Sequence, residues 1–153
     1  MGWGSNSRGR LAQNSTSVPT YSSPIQIPGT TWRSVYVGYE AVLATKTDGT
    51  LWAWGDNERG LCGQNNVTEY SSPTQIPGTN WSIETAQSGL EDRTVIALKT
   101  DGTAWVWGEN EFGLHGLNTT HDNATYSSPV QIPGTGWNNV RCSKMDFYAV
   151  RDV

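Results

Sequence analysis

The chain has 153 residues, of which only 16% are charged, with a net charge of −4 and a pI near 5.0. No run of Lys or Arg occurs, which disfavours nucleic-acid binding through a broad basic face and a polybasic membrane anchor. Eight Trp against two Phe, with 17 Gly, read as an all-β chain with many turns. No charged-then-apolar N-terminal segment and no apolar run of membrane-spanning length is present. The expectation is a soluble chain without a visible signal peptide or transmembrane segment, its compartment left open. Cys62 and Cys142 form neither a metal spacing nor a disulfide framework.

In chain order, Met1-Gly2-Trp3-Gly4 lines up with Trp52-Ala53-Trp54-Gly55, the end of a stretch that runs from Thr47 and recurs from Thr100 to Gly108. Asp48-Gly49 and Asp101-Gly102 sit between apolar runs, the strongest short hairpin signal, because Gly accepts φ > 0 and Asp tolerates it. On the following strand Trp52 and Trp54 point to one face and Leu51 and Ala53 to the other. Both faces are apolar, so that strand is expected to be covered on both sides. The segment Tyr21 to Trp32 recurs as Tyr70 to Trp81 and as Tyr126 to Trp137, with spacings of 49 and 56. All eight Trp fall into three repeat classes: Trp32, Trp81 and Trp137; Trp52 and Trp105; Trp3, Trp54 and Trp107. Within one unit we read strands at Arg33 to Val37, Val42 to Lys46, Leu51 to Trp54 and near Thr74 to Ile76, with no helical period. The loops between the Trp-Gly ends and Tyr21, Tyr70 and Tyr126 vary in length, as loop tips on a repeated scaffold do.

About four short strands in roughly 50 residues is the signature of a β-propeller blade. The expected organisation is one repeat region over 1–153, with units at about 1–31, 32–80 and 81–136 and a partial unit at 137–153. The three copies together lack only the residues of one hairpin turn, so they make about three blades, short of the four to eight that close a ring. Two readings follow. One is a piece of a longer propeller. The other is head-to-tail assembly, in which Tyr148 to Arg151 of one chain pairs with Gly2 to Gly4 of the next.

Thr47 to Gly55 continues into Asp56-Asn57-Glu58-Arg59-Gly60-Leu61-Cys62-Gly63 and then Ser72-Pro73. The other copies read Trp107 to Gly116, with Asn110 and Gly113, and Trp3 to Ala12, with Asn6 and Gly9. At these residues the sequence resembles the regulator-of-chromosome-condensation (RCC1-like) repeat family of seven-bladed propellers. The near-identical Tyr-Ser-Ser-Pro segments are closest in style to its bacterial and phage members. The resemblance covers essentially the whole chain and implies protein binding: guanine-nucleotide exchange on a small GTPase in eukaryotes, enzyme inhibition in one bacterial branch. The family's histidine before the Asp-Gly turn is absent here; Ala41-Val42-Leu43-Ala44, Thr94-Val95-Ile96-Ala97 and Asp146-Phe147-Tyr148-Ala149 stand in its place. Activity that rests on that histidine is not expected.

Candidate chemistry is sparse. His115 and Cys62 share a repeat position with Leu11, which reads as an apolar slot. His121-Asp122 lies in the longest loop without a nucleophile and makes no triad. Asp56-Asn57-Glu58 and Glu109-Asn110-Glu111 lack the calcium-loop pattern, and read as turns in which Asn and Asp cap their own backbone. Sequons at Asn14, Asn66, Asn80, Asn118 and Asn123 mostly mark the same loops as exposed. No glycine loop cradles phosphate. No catalytic residue, cofactor or metal is expected. The functional reading is a non-catalytic recognition or scaffold module that binds another protein through exposed loops, with Asn66, Asn118, His121 and Asp122 as candidate contacts. The alternatives are a guanine-nucleotide exchange factor, and a phage or cell-surface structural protein that binds carbohydrate by stacking on Tyr and Trp.

Overall fold

The computed structural model describes residues 1–38, 41–82, 87–89, 94–119, 125–142 and 146–151. Strand β1 (Gly2–Ser5) pairs with β2 (Thr20–Ile25). The next sheet has the order β3 (Trp32–Val37), β4 (Ala41–Lys46), β5 (Leu51–Gly55), β6 (Tyr70–Gln75). A second four-stranded sheet runs β7 (Gln87–Gly89), β8 (Thr94–Leu98), β9 (Ala104–Glu109), β10 (Thr125–Ile132), and β11 (Trp137–Cys142) pairs with β12 (Phe147–Arg151). All pairings are antiparallel between chain neighbours, as in propeller blades. Among the described residues there are thus two whole blades, an outer half (β1–β2) and an inner half (β11–β12).

The fourth strand of the blade begins earlier than the expected Thr74. Tyr70 already pairs with Gly55, and Thr74 with Ala53, so the register slips across Ser71-Ser72-Pro73. Proline has no N–H to donate, and an irregularity in the ladder accommodates it. Helix is confined, among the described residues, to single 3-10 turns at Ser7–Gly9 and Glu111–Gly113.

The Asp-Gly turns carry more than their backbone. Only the glycines, Gly49 and Gly102, take positive φ (both 78°), while the aspartates cap. Asp48 Oδ1 accepts from the Thr50 amide at 3.0 Å and from the Thr50 hydroxyl at 2.6 Å; that hydroxyl accepts from Trp52 Nε1 at 2.8 Å. The same relay joins Asp101, Thr103 and Trp105. It aims Trp52 and Trp105 toward Lys46 and Lys99, whose ammonium groups also face Trp32 and Trp81 at 3.9–4.7 Å from the ring centres. Each lysine caps a pair of edge-on indoles.

Both faces of β5 are covered, by different partners. Leu51 and Ala53 join a cluster with Ala41, Leu43, Cys62, Ile76 and, from the next blade, Val95, Ala97 and Trp107. Trp52 and Trp54 face the preceding half-blade with Ala12, Val42 and Ala44. Burial and two hydrogen bonds set each joint. Trp54 Nε1 donates to Arg10 O of the preceding blade at 2.8 Å, and Asn14 N donates to Ser71 O at 2.7 Å. One blade on, Trp107 Nε1 donates to Leu61 O at 2.8 Å and Asn65 N to Ser127 O at 2.7 Å. Gly9 and Gly60 are bare where the next blade lands: an added Cβ would lie 2.6 Å from Ser71 Cα or 2.7 Å from Ser127 Cα.

Replacing Trp107 by Ala removes a fully buried ring and strips Leu61 O of its donor, so it should cost about 3–5 kcal/mol in urea unfolding; a loss below ~1 kcal/mol would show that the joint does not hold the blades. The hydrogen bonds from Thr50 hold the Asp48 carboxyl below its ordinary value of 3.8. A depressed folded value stabilises the fold above the unfolded pKa, and that stabilisation is lost as pH falls through the folded value. Melts between about pH 5 and pH 2 should therefore fall less steeply for Asp48→Asn than for the wild type.

Candidate recognition surface

The loops after β1, β5 and β9 are built on one plan. Asn6, Asn57 and Asn110 are fully buried. Each side-chain oxygen accepts a backbone amide five residues on: Leu11 at 3.0 Å, Cys62 at 2.8 Å and His115 at 3.0 Å. Each side-chain amide reaches across to the returning limb of its loop. Asn6 Nδ2 donates to Ser15 O at 2.9 Å and Val18 O at 3.1 Å. Asn57 Nδ2 donates to Asn66 O and Thr68 O, both at 2.9 Å. Asn110 Nδ2 donates to Thr119 Oγ1 at 3.0 Å. One planar amide therefore holds both limbs of a loop that carries no ladder of its own. The expectation that these asparagines cap their own turn is corrected in part. Asp56 does so, accepting from Glu58 N at 3.1 Å, while Asn57 is a strut between limbs. Its recurrence five residues before Leu11, Cys62 and His115 was the available signal.

The strut presents what lies between its contacts. Val67 sits between the two held carbonyls of Asn66 and Thr68, and Val18 carries a held carbonyl itself. Both valines lie three residues before the repeat tyrosine, Tyr21 or Tyr70, and both are exposed. The sequence reading had passed over these valines.

Of the candidate contacts, Asn66 is exposed but internally engaged: its side-chain oxygen accepts from Thr68 N at 2.9 Å and its amide donates to the Tyr70 hydroxyl at 2.9 Å. Asn118 is exposed, with φ of 56°. His121 and Asp122 lie outside the described residues. Leu11, Cys62 and His115 are all buried, as an apolar slot requires, and the His115 ring packs at a tilt against Tyr126, with ring centres 4.9 Å apart. Burial, with Asp56 adding to it, pushes the Cys62 thiol well above its ordinary range, which makes it a poor nucleophile.

Asp56, Glu58 and Glu69 bring carboxylate oxygens within 4.8 Å of one another. Arg8 of the preceding half-blade supplies the opposite charge, pairing with Glu58 at 3.0 Å and with Glu69. Arg59, at the same repeat position, pairs with Glu109 of the next blade at 3.3 Å. Glu58, Glu69 and Glu109 thus meet an arginine across two successive joints. Lysines cover the faces of Trp52 and Trp105, whereas Trp3 is exposed. No described helix is long and apolar enough to cross a membrane.

Residues 48–89 match the family described as the regulator of chromosome condensation (RCC1) repeat. Over 100 residues the chain is 29% identical to the protein RCC2 homolog of Danio rerio, covering 65% of this chain and 20% of that protein. Solved structures share the fold. Yeast RCC1 (Prp20) bound to Kap60 superposes with a TM-score of 0.79 at 20% identity, over 99% of this chain and 38% of that one. Human WBSCR16 gives 0.68 at 20% identity, over 90% and 35%. The chain spans a fifth of the length of its curated relative and little more than a third of these solved chains. With the Trp-Gly-x-Asn repeats now placed in propeller blades joined as described, the chain shares the fold of these solved RCC1 propellers, and its residues 48–89 match the RCC1 repeat.

Proposed function

We propose that this chain is a non-catalytic recognition module that binds another protein through the loops after β1 and β5. The observation that carries the reading is the pair Val18 and Val67, exposed at one repeat position on backbones that Asn6 and Asn57 brace from within. A braced apolar contact loses little conformational freedom on binding, which is the economy of a preorganised surface. Loops displayed from a rigid scaffold are also where binding residues concentrate. Fold alone does not assign the partner. Guanine-nucleotide exchange is the second reading, favoured by likeness to Prp20p of Saccharomyces cerevisiae, a protein studied for its binding to Gsp1p and histones. That structure matches with a TM-score of 0.70 at 20% identity. Lysines occupy one face of Trp52 and of Trp105, which disfavours those two rings as a sugar platform.

Val67→Arg should weaken a captured protein partner by about tenfold or more, equivalent to about 1.4 kcal/mol, with an unchanged melting temperature. Partners are isolated by cross-linking from the source cells and compared between wild type and variant. Equal capture by both would sink the loop assignment. Asn57→Ala leaves the Cys62 amide and two carbonyls without their partner and should destabilise by about 1–3 kcal/mol. Release of labelled GDP from Gsp1p separates the second reading: acceleration by this chain would replace the non-catalytic proposal.

A further inference from the structure

The Asp-Gly turns lie at the opposite end of the blades from the braced loops, because β5 and β9 each run from a turn at one end to a loop at the other. The Pro-Gly segments share the turn end. Trp81 N donates to Gly49 O at 2.9 Å, and Trp137 N to Gly102 O at 3.0 Å.

Two indole N–H groups at this end have no acceptor. Trp81 Nε1 and Trp137 Nε1 are enclosed and make no hydrogen bond among the described residues, and Trp81 as a whole is 1% exposed. By contrast, Trp52 and Trp105 donate to threonine hydroxyls, and Trp54 and Trp107 to backbone carbonyls. Trp32, at the same repeat position as the two orphans, donates to Pro28 O at 3.2 Å. A buried donor cut off from water and from any acceptor is costly, and in a native fold it marks the place of a missing partner.

A cation stands beside each orphan. Lys99 Nζ lies 4.7 Å from the Trp81 ring centre, and Arg151 Cζ lies 5.6 Å from that of Trp137. Neither cation forms an ion pair among the described residues. Cation and indole converge on a glycine. A Cβ added to Gly78 would lie 3.2 Å from Lys99 Nζ and 3.8 Å from Trp81 Nε1. On Gly134 it would lie 3.4 Å from Arg151 Nη1 and 3.6 Å from Trp137 Nε1. Both glycines are exposed, so the space that a side chain would fill is open and walled by two donors. The first copy differs. The atoms nearest to an added Cβ on Gly29 all belong to the Trp32 ring, with no cation among them. Orphaned donor and converging cation occur together at two repeats and are absent together at the third.

We propose that Gly78 and Gly134 each floor a carboxylate site. An oxygen enters over the bare glycine and accepts from Trp81 Nε1 and the Lys99 ammonium, or from Trp137 Nε1 and the Arg151 guanidinium. Indole, ammonium and guanidinium carry only donors, so the opening takes an acceptor and rejects a cation. Bonds from a charged donor to a carboxylate are about twice as strong as neutral ones. Lys99 is held between two rings, its ammonium also 4.5 Å from the Trp105 centre, and so it waits at the opening. Its flexible stem lets the ammonium turn aside to admit the oxygen to the enclosed N–H. Asp101, two residues on, keeps its own Oδ1 on Thr103 and adds negative charge to the turn, which favours a singly charged carboxylate over a phosphate dianion.

The indole N–H resonances of the eight Trp in the ¹⁵N-labelled chain test this. The titrant is sodium acetate, compared with sodium chloride and sodium phosphate at matched ionic strength. Acetate should move the Trp81 and Trp137 resonances downfield to saturation. Those of Trp54 and Trp107, whose hydrogen bonds are already made, should stay in place. Lys99→Met keeps an apolar stem between the two rings; it should abolish the Trp81 shift and leave that of Trp137. Absence of a saturable Trp81 shift in the wild type, an equal shift with chloride, or a shift that survives in a folded Lys99→Met overturns the proposal. Tighter saturation by phosphate overturns the choice of carboxylate. None of these results bears on the loop valines, which lie at the other end of the blades and are read by partner capture.

Discussion

Everything in this structure depends on the joint that each blade makes with the next. A four-stranded antiparallel sheet with two apolar faces has no stable existence in water, because each face exposes several large side chains. The repeat solves this with an indole that crosses the gap. Trp54 and Trp107 bury a large apolar ring and at the same time place an N–H on a carbonyl, Arg10 O or Leu61 O, that would otherwise lose its water on burial. The bare glycines Gly9 and Gly60 allow the serine backbone to approach and the second bond, from Asn14 or Asn65, to form. Shape, burial and hydrogen bonding agree at one place.

That joint also explains the buried asparagines. The carbonyl that receives the indole belongs to the loop after the Trp-Gly strand, so the loop must be rigid for the joint to be specific. Asn6, Asn57 and Asn110 supply the rigidity, each satisfying an amide on one limb and carbonyl or hydroxyl oxygens on the other. Once braced for the joint, the same loop has a tip of fixed geometry, and that tip is available for recognition. Scaffold and surface are therefore one construction. Exchange of Leu11 for Cys62 or His115 inside the loop leaves the plan intact, because the slot asks for volume rather than chemistry.

Much of this was legible from residues alone. Asp48-Gly49 located the hairpin, and the two-residue spacing of Trp52 and Trp54 assigned them to one face, opposite Leu51 and Ala53, as the two separate clusters show. Period-two geometry is local, so sequence spacing reports it directly. Less visible was the role of Asp48, which caps Thr50 while Gly49 alone takes the positive φ. The start of β6 at Tyr70 was also missed, since Pro73 breaks the propensity signal although the ladder steps around it.

The chain by itself determined the repeat, the strand alternation and the turn chemistry, all of which are set by neighbours a few residues apart. Tertiary structure decided which residues meet across tens of positions: Arg8 with Glu58 and Glu69, Trp107 with Leu61, Gly60 with Ser127. It also separated residues the sequence makes equivalent. Val35 and Val140, or Trp3 and Trp107, share a position in the repeat and differ in burial because Val140 and Trp107 pack against a neighbouring blade and Val35 and Trp3 do not. Burial is a property of the neighbour as much as of the residue, and no local pattern encodes whether the neighbour is present.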